Sequence, residues 1–122
     1  MNILRTIPQD EKPEWVNLMF EVGPHADPNA PTYPLDFPLP YKLSKDLSDG
    51  YLYVVYRSEI IGYGKIQQVV LHEGHHVGSD DRPMKPGHNI ILDGPLLRMP
   101  TVMKHRGFQG IHYDETNFHE AA

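Results

Sequence analysis

The chain has 122 residues, 39% of them hydrophobic and 22% charged, with a formal net charge of −5 and no cysteine. That size and balance suit one globular domain with one modest core and exclude wholesale disorder. The acidic charge argues against tight non-specific binding to a polyanion, and the missing thiol removes Cys nucleophiles, thiolate metal sites and disulfides, which fits a reducing cytoplasm.

The opening "MNILRTIPQDEKPEW" lacks the apolar core of a signal peptide, and no run approaches the length of a membrane span. The expectation is a cytoplasmic protein with no membrane partner. "PEWVNLMFEVG" can be drawn as a strand or a short helix; Trp15-Val16 and Phe20-Glu21-Val22 favour strand, and Gly23-Pro24 ends the element either way. Residues 24–40, "PHADPNAPTYPLDFPLP", carry Pro24, Pro28, Pro31, Pro34, Pro38 and Pro40. Proline has no N–H and restricts its predecessor, so this stretch reads as an extended segment wrapping the domain. Within it Tyr33, Leu35, Phe37 and Leu39 alternate and present one apolar edge. "LSKDLSDG" then reads as one helical turn, with Ser44 as N-cap and Gly50 as stop.

The clearest signal is "YLYVVYRSEIIGYGKI", which is β-branched and aromatic from Tyr51 to Tyr56, turns at Arg57-Ser58-Glu59 and resumes at Ile60. Gly62 and Gly64 in the returning strand mark a bulge or the close approach of another backbone. Further strands are expected at "HNIILD" (88–93), at "LLRM" after Gly94-Pro95, and at "GIHYD". The fold class is therefore mostly β (α+β): one domain over 1–122, a compact barrel core over 41–113, and one or two short helices.

Residues 71–77, "LHEGHHV", contain His72-Glu73-Gly74-His75-His76, an H-E-x-x-H match. In zinc peptidases that spacing puts two His ligands and a general-base Glu on one helical face, with a third ligand and an open position for water. Here Gly74 and the β-branched pair Val69-Val70 oppose a helix. The positions where a third His would be announced hold Ser79 and Arg82. With 8 His and 7 Glu in the chain, random placement produces the motif with a chance of roughly 3%. The motif fits better as the end of a β-strand running into a charged loop. His105, His112 and His119 recur every seventh residue, but "RGFQG" between them forbids one helical face.

Two other segments carry chemistry. "PGHNIILDGPLLRMP" sets Asp93 at a turn and Arg98 among apolar neighbours, and "KHRGFQG" places Arg106 and Phe108 on a glycine-rich loop that could hold a phosphate and stack a base. Tyr51 and Tyr53 share one face of their strand while Tyr56 points to the other.

At "LSDGYLYVVYRSEIIGYGKIQQV" and "KPGHNIILDG" the chain resembles the PUA-like superfamily of small β-barrels that includes ASCH and EVE domains, with His88 where those domains usually carry an acidic residue. The resemblance implies binding of RNA or a modified nucleotide in a barrel cleft near the Gly-x-Gly strand, at Tyr63, Lys65, Asp93, Arg98, Arg106 and Phe108. Some members of that superfamily act on nucleosides, but here no cofactor and no catalytic residue are expected. A second reading is a minimal zinc hydrolase, with His72 and His76 as ligands and Glu73 as base. A third is an interaction domain whose proline segment meets a partner protein or a second copy of the chain.

Overall fold

A computed structural model of the chain describes residues 1–21, 36–74, 76–77, 82–83, 85–108 and 110–121. In chain order these form β1 (Asn2–Ile7), α1 (Pro13–Glu21), β2 (Asp36–Pro38), β3 (Tyr51–Tyr56), β4 (Glu59–His72), β5 (His76–Val77), β6 (Arg82–Pro83), β7 (Gly87–Leu92), β8 (Leu97–Lys104), β9 (Ile111–Asp114) and α2 (Phe118–Ala121). The chain is mostly β. One sheet, in the order β2-β7-β4-β3-β1-β9 with β8 also paired to β4, curls into a half-barrel. β1 runs parallel to β3 and antiparallel to β9. Among the described residues, no helix is long and apolar enough to cross a membrane.

The β3–β4 hairpin forms where the β-branched and aromatic run places it. Arg57 and Ser58 both take left-handed φ values, 51° and 61°, with Tyr56 opposite Glu59. This two-residue turn has the twist that antiparallel strands need, and Ser58 O accepts the His105 N–H at 3.0 Å. The strand after the turn, β4, pairs with β3 and β8 over its first half and with β7 from Ile66 to His72. Its register with β7 shifts between Ile66 and Gln68, so Gln67 is the extra residue of a bulge that turns the strand.

Both faces of the central strands are buried, which is why "YLYVVY" is apolar throughout. On the inner face Ile3, Leu52, Val54, Ile90 and Leu92 pack with α1; on the outer face Leu4, Tyr53, Val55, Ile60 and Met99 form a second cluster. Each fully buried Leu or Ile contributes about 1.5–3 kcal/mol of transfer free energy.

Residues 13–21 are helical, a correction to the strand reading. Pro13 sits at the first helical position and Glu14 in the first turn, both favourable there. Val16, Met19 and Phe20 fall at helical spacing and pack on the inner core. The Met19 carbonyl, in the last turn of α1, accepts the Leu96 N–H at 3.1 Å. The turn read at 43–50, by contrast, is not helical. Asp46 Oδ1 accepts the Ser48 N–H (2.9 Å) and hydroxyl (2.6 Å), a side-chain turn that replaces the first helical bonds. Of the proline segment, Asp36–Pro38 adds an edge strand to β7, and Phe37 and Leu39 are buried. Pro24, Pro28, Pro31, Pro34, Tyr33 and Leu35 lie outside the described residues. β1, unforeseen in the sequence and outside 41–113, belongs to the sheet.

The Gly-x-Gly strand is explained by packing. A Cβ on Gly62 would stand 2.5 Å from the Phe20 ring, and one on Gly64 2.7 Å from Leu92 Cδ1. Gly87 is under a harder constraint, because its Cβ would strike backbone atoms of Leu39 and Tyr41. Gly87→Ala is expected to lower stability by about 1–3 kcal/mol in urea unfolding. Gly107→Ala, with open space around it, is expected to stay within about 0.5 kcal/mol. Equal effects of the two substitutions would contradict this packing.

Candidate functional site

Residues 39–49 cross the open end of β7 and β4 as a strap. Leu39 N–H donates to His88 O (2.8 Å), His88 N–H donates to Tyr41 O (3.0 Å), and Leu43 N–H donates to His88 Nδ1 (2.7 Å). That last bond leaves the neutral ring's proton on Nε2, where it can serve a ligand as a donor. Leu47, only 2% exposed, anchors the strap in the core. Its far end returns to the sheet through Gly50 O, which accepts the Ile66 N–H at 3.0 Å.

Between strap and sheet lies a cavity of about 590 Å³, lined by Leu43–Asp49 without Ser44, by Lys65–Val69, and by His88 and Asp93. Its volume lies within the usual range of small-molecule pockets, about 300–1,000 Å³. Leu43, Leu47, Ile66 and Val69 supply its apolar part. Lys45 and Lys65 bring two ammonium groups, and Asp46, Asp49 and Asp93 three carboxylates. Asp93 is tied to the lysine strand, its N–H donating to Lys65 O at 2.9 Å. Gln67 and Gln68 are consecutive exposed amides because the bulge interrupts the alternation of β4. The Asp46 carboxyl is held below the usual carboxylate range by the Ser48 hydroxyl and N–H, so it stays an acceptor. Among the described residues, no Tyr, Phe or Trp lines this cavity. It offers charge and directed hydrogen bonds, with no aromatic platform for a base among the described residues.

Of the six residues expected in the site, the structure brings together Lys65 and Asp93. Tyr63 shares the β4 face of Lys65, but its ring is stacked on His119, with centroids 4.2 Å apart and planes at 11°. Arg98 lies on β8 opposite Gly62, its guanidinium 4.1 Å from the Phe20 ring centroid. Arg106 is exposed on the loop after β8, and the Phe108 ring is stacked on His112 at 3.8 Å. Lys45, Gln67, Gln68 and His88 complete the cavity without having been expected there. The doubled Gln in an alternating strand was the available signal for the bulge. His88, standing in for an acidic residue, was the other.

The outer aromatic cluster is closed by this chain itself. Tyr51, Tyr53 and Tyr63 gather around His119 with centroids 4.5, 5.9 and 4.2 Å away. The Tyr53 hydroxyl is hydrogen-bonded to His119 Nδ1 at 2.7 Å. His105 meets Phe108 and Phe118 edge-on and shares Phe108 with His112, while His119 meets the tyrosines, so all three evenly spaced histidines pack on aromatic rings.

The H-E-x-x-H segment has a different geometry from the one zinc chemistry requires. His72 ends β4, Glu73 and Gly74 follow in a loop, and His76 begins β5; His75 lies outside the described residues. His72 Nε2–H donates to Leu39 O (2.7 Å) while Nδ1 accepts the Gly74 N–H (3.1 Å). Nε2 holds the strap and Nδ1 the loop after β4, so both ring nitrogens are engaged, and strand and loop replace the helical face. Among the described residues, no three His, Asp or Glu side chains are grouped as metal ligands.

The fold and cavity define a small mostly-β half-barrel with a polar cleft at its strap. Compared with protein-family models, curated proteins and solved structures, the chain matches none of them.

Burial pushes the Tyr53 phenol up to about 12, against the opposing pull of the His119 and Phe118 backbone N–H groups. An unfolded phenol ionises near pH 10, so the unfolded chain loses its proton first. The stabilising contribution is present below about pH 10 and is lost as pH rises toward about 12. Urea unfolding across that window should show Tyr53→Phe flattening the alkaline fall, at a cost of about 1 kcal/mol from the lost His119 bond. An unchanged fall in the variant would contradict the assignment.

Proposed function

We propose that this chain is a binding module for a phosphorylated nucleoside or the exposed end of a short single strand, held in the strap cleft. The observation that carries the reading is the convergence of Lys45, Lys65, His88 and Asp93 from separate segments on one cavity. Two ammonium groups and an imidazole N–H suit phosphate oxygens. Asp93 and the Gln67 and Gln68 amides suit the donor and acceptor edge of a base or a ribose hydroxyl. The half-barrel is the kind of scaffold that the resemblance to PUA-like domains implies, which supports the reading. The net charge of −5 favours pocket contacts over a long electrostatic track.

Calorimetry at low salt against the four ribonucleoside monophosphates, their nucleosides and a short single-stranded RNA tests this. Lys65→Ala should weaken the best monophosphate by about ten-fold and leave its nucleoside within about two-fold. Asp93→Asn should weaken nucleoside and monophosphate together. Absence of binding across the panel, or affinities indifferent to both substitutions, would refute the assignment.

A further inference from the structure

The sheet ends at β2 on one side and β9 on the other, and a tyrosine side chain makes each described contact between the strap and β9. Tyr113 OH accepts the Ser44 N–H at 3.0 Å and Ser44 Oγ lies 3.5 Å away. The Tyr41 phenol reaches Gly110 at the start of β9, where a Cβ would lie 3.7 Å from its oxygen. Arg5 lies in register between these two bridges. It pairs with Ile111 of β9, while Tyr113 pairs with Ile3. By strand alternation its side chain shares the inner face with Ile3 and Ile7, and its guanidinium stands 5.3 Å from the Phe37 ring centroid on β2.

A half-buried guanidinium in such a place is ordinarily paired with a carboxylate. Among the described residues none pairs with Arg5. Asp36, beside Phe37 in sequence, is exposed and accepts Asn89 Nδ2–H at 3.2 Å. Strand alternation puts it on the other side of β2. Desolvation lowers the Arg5 pKa below its ordinary value, with the Tyr41 phenol acting in the opposite sense, yet the group remains charged at neutral pH. Stacking on Phe37 satisfies its face and leaves the in-plane N–H donors for another partner. Tyr113 OH accepts from Ser44 and retains its own proton to donate.

We propose that the seam between strap and β9 is an oxyanion site, in which Arg5 takes two oxygens of a phosphate or carboxylate group and Tyr41 and Tyr113 add hydroxyl donors. None of these three residues lines the strap cleft, so the site is separate from the one proposed above. The planar fork of Arg matches both oxyanions, and a neutral rim of two phenols keeps a monoanion from meeting repulsion.

The full chain, labelled for NMR, is titrated with inorganic phosphate and separately with acetate to about 20 mM, a range that captures millimolar affinities. The reporters are Arg5 Nε–H and the Gly110 and Ile111 amides. Saturable shifts with phosphate alone identify a phosphoryl ligand, and with acetate alone a carboxylate; either supports the site. Arg5→Lys keeps the charge but loses the fork and should weaken binding about five-fold or more. Tyr41→Phe, which removes no apolar contact, should weaken it about three-fold. Lys104→Ala, an exposed change on β8, should leave it unaltered. Unmoved reporters with both anions, or shifts that persist undiminished in Arg5→Lys and Tyr41→Phe, would overturn the proposal.

Discussion

The rest of the molecule depends on the hydrogen bonding of a single strand. β4 is bonded to β3 and β8 along its first half and to β7 along its second, and the extra residue at Gln67 lets one strand serve both directions. A flat sheet would leave β7 and the β2 edge far from β1. The turn in β4 curls the sheet, brings β2 across toward β1, and lets Phe37 meet Arg5. The strap then bridges the open end, held by His88 from one side and His72 from the other.

Site and bend coincide for a physical reason. A bulge frees backbone and side-chain polar groups that a regular ladder would pair or point alternately in and out. Here the freed groups are the Gln67 and Gln68 amides, next to Lys65 and under the strap. The bonds from Gly50 O to Ile66 N–H and from Lys65 O to Asp93 N–H, on either side of the bend, fix the cleft walls. The outer face is capped instead by apolar and aromatic contacts, with Phe118 and His119 of α2 packed on the tyrosines. Rings already stacked on imidazoles of the same chain are poor platforms for a base, which is why the proposed recognition is assigned to the polar cleft.

Much of the fold was legible because β-branched and aromatic runs bounded by turn residues report strands. The β3–β4 hairpin, β7, β8 and β9 follow from "YLYVVY", "HNIIL", "LLRM" and "IHYD" with their turn residues. α1 was misread because Val16 and Phe20 score as strand formers taken singly, while the stronger signal was Pro13-Glu14 followed by apolar residues at three- and four-residue spacing. The 43–50 turn was misread because Ser44 and Gly50 imitate caps, and the decisive bond comes from Asp46. Of the expected site, Lys65 and Asp93 share a cleft because a strand pair joins them. Tyr63 and Phe108 lie outside that cleft with ring partners, His119 and His112, that were read only as members of a regular spacing. His72 carries the same lesson in reverse: a motif defined by helical geometry loses its meaning on a strand. Its chemistry here is a pair of hydrogen bonds to the strap and the following loop.

The central claim is that the bend of β4 and the strap together form a ligand site. Mapping amide shifts on titration with a ribonucleoside monophosphate tests it most directly. Saturable changes are predicted at residues 43–49, 65–69, 88 and 93, with the outer tyrosine strands left quiet. Changes confined to Tyr51, Tyr53, Tyr63 and α2, or to the loop after β8, would place recognition on the aromatic face and contradict the account.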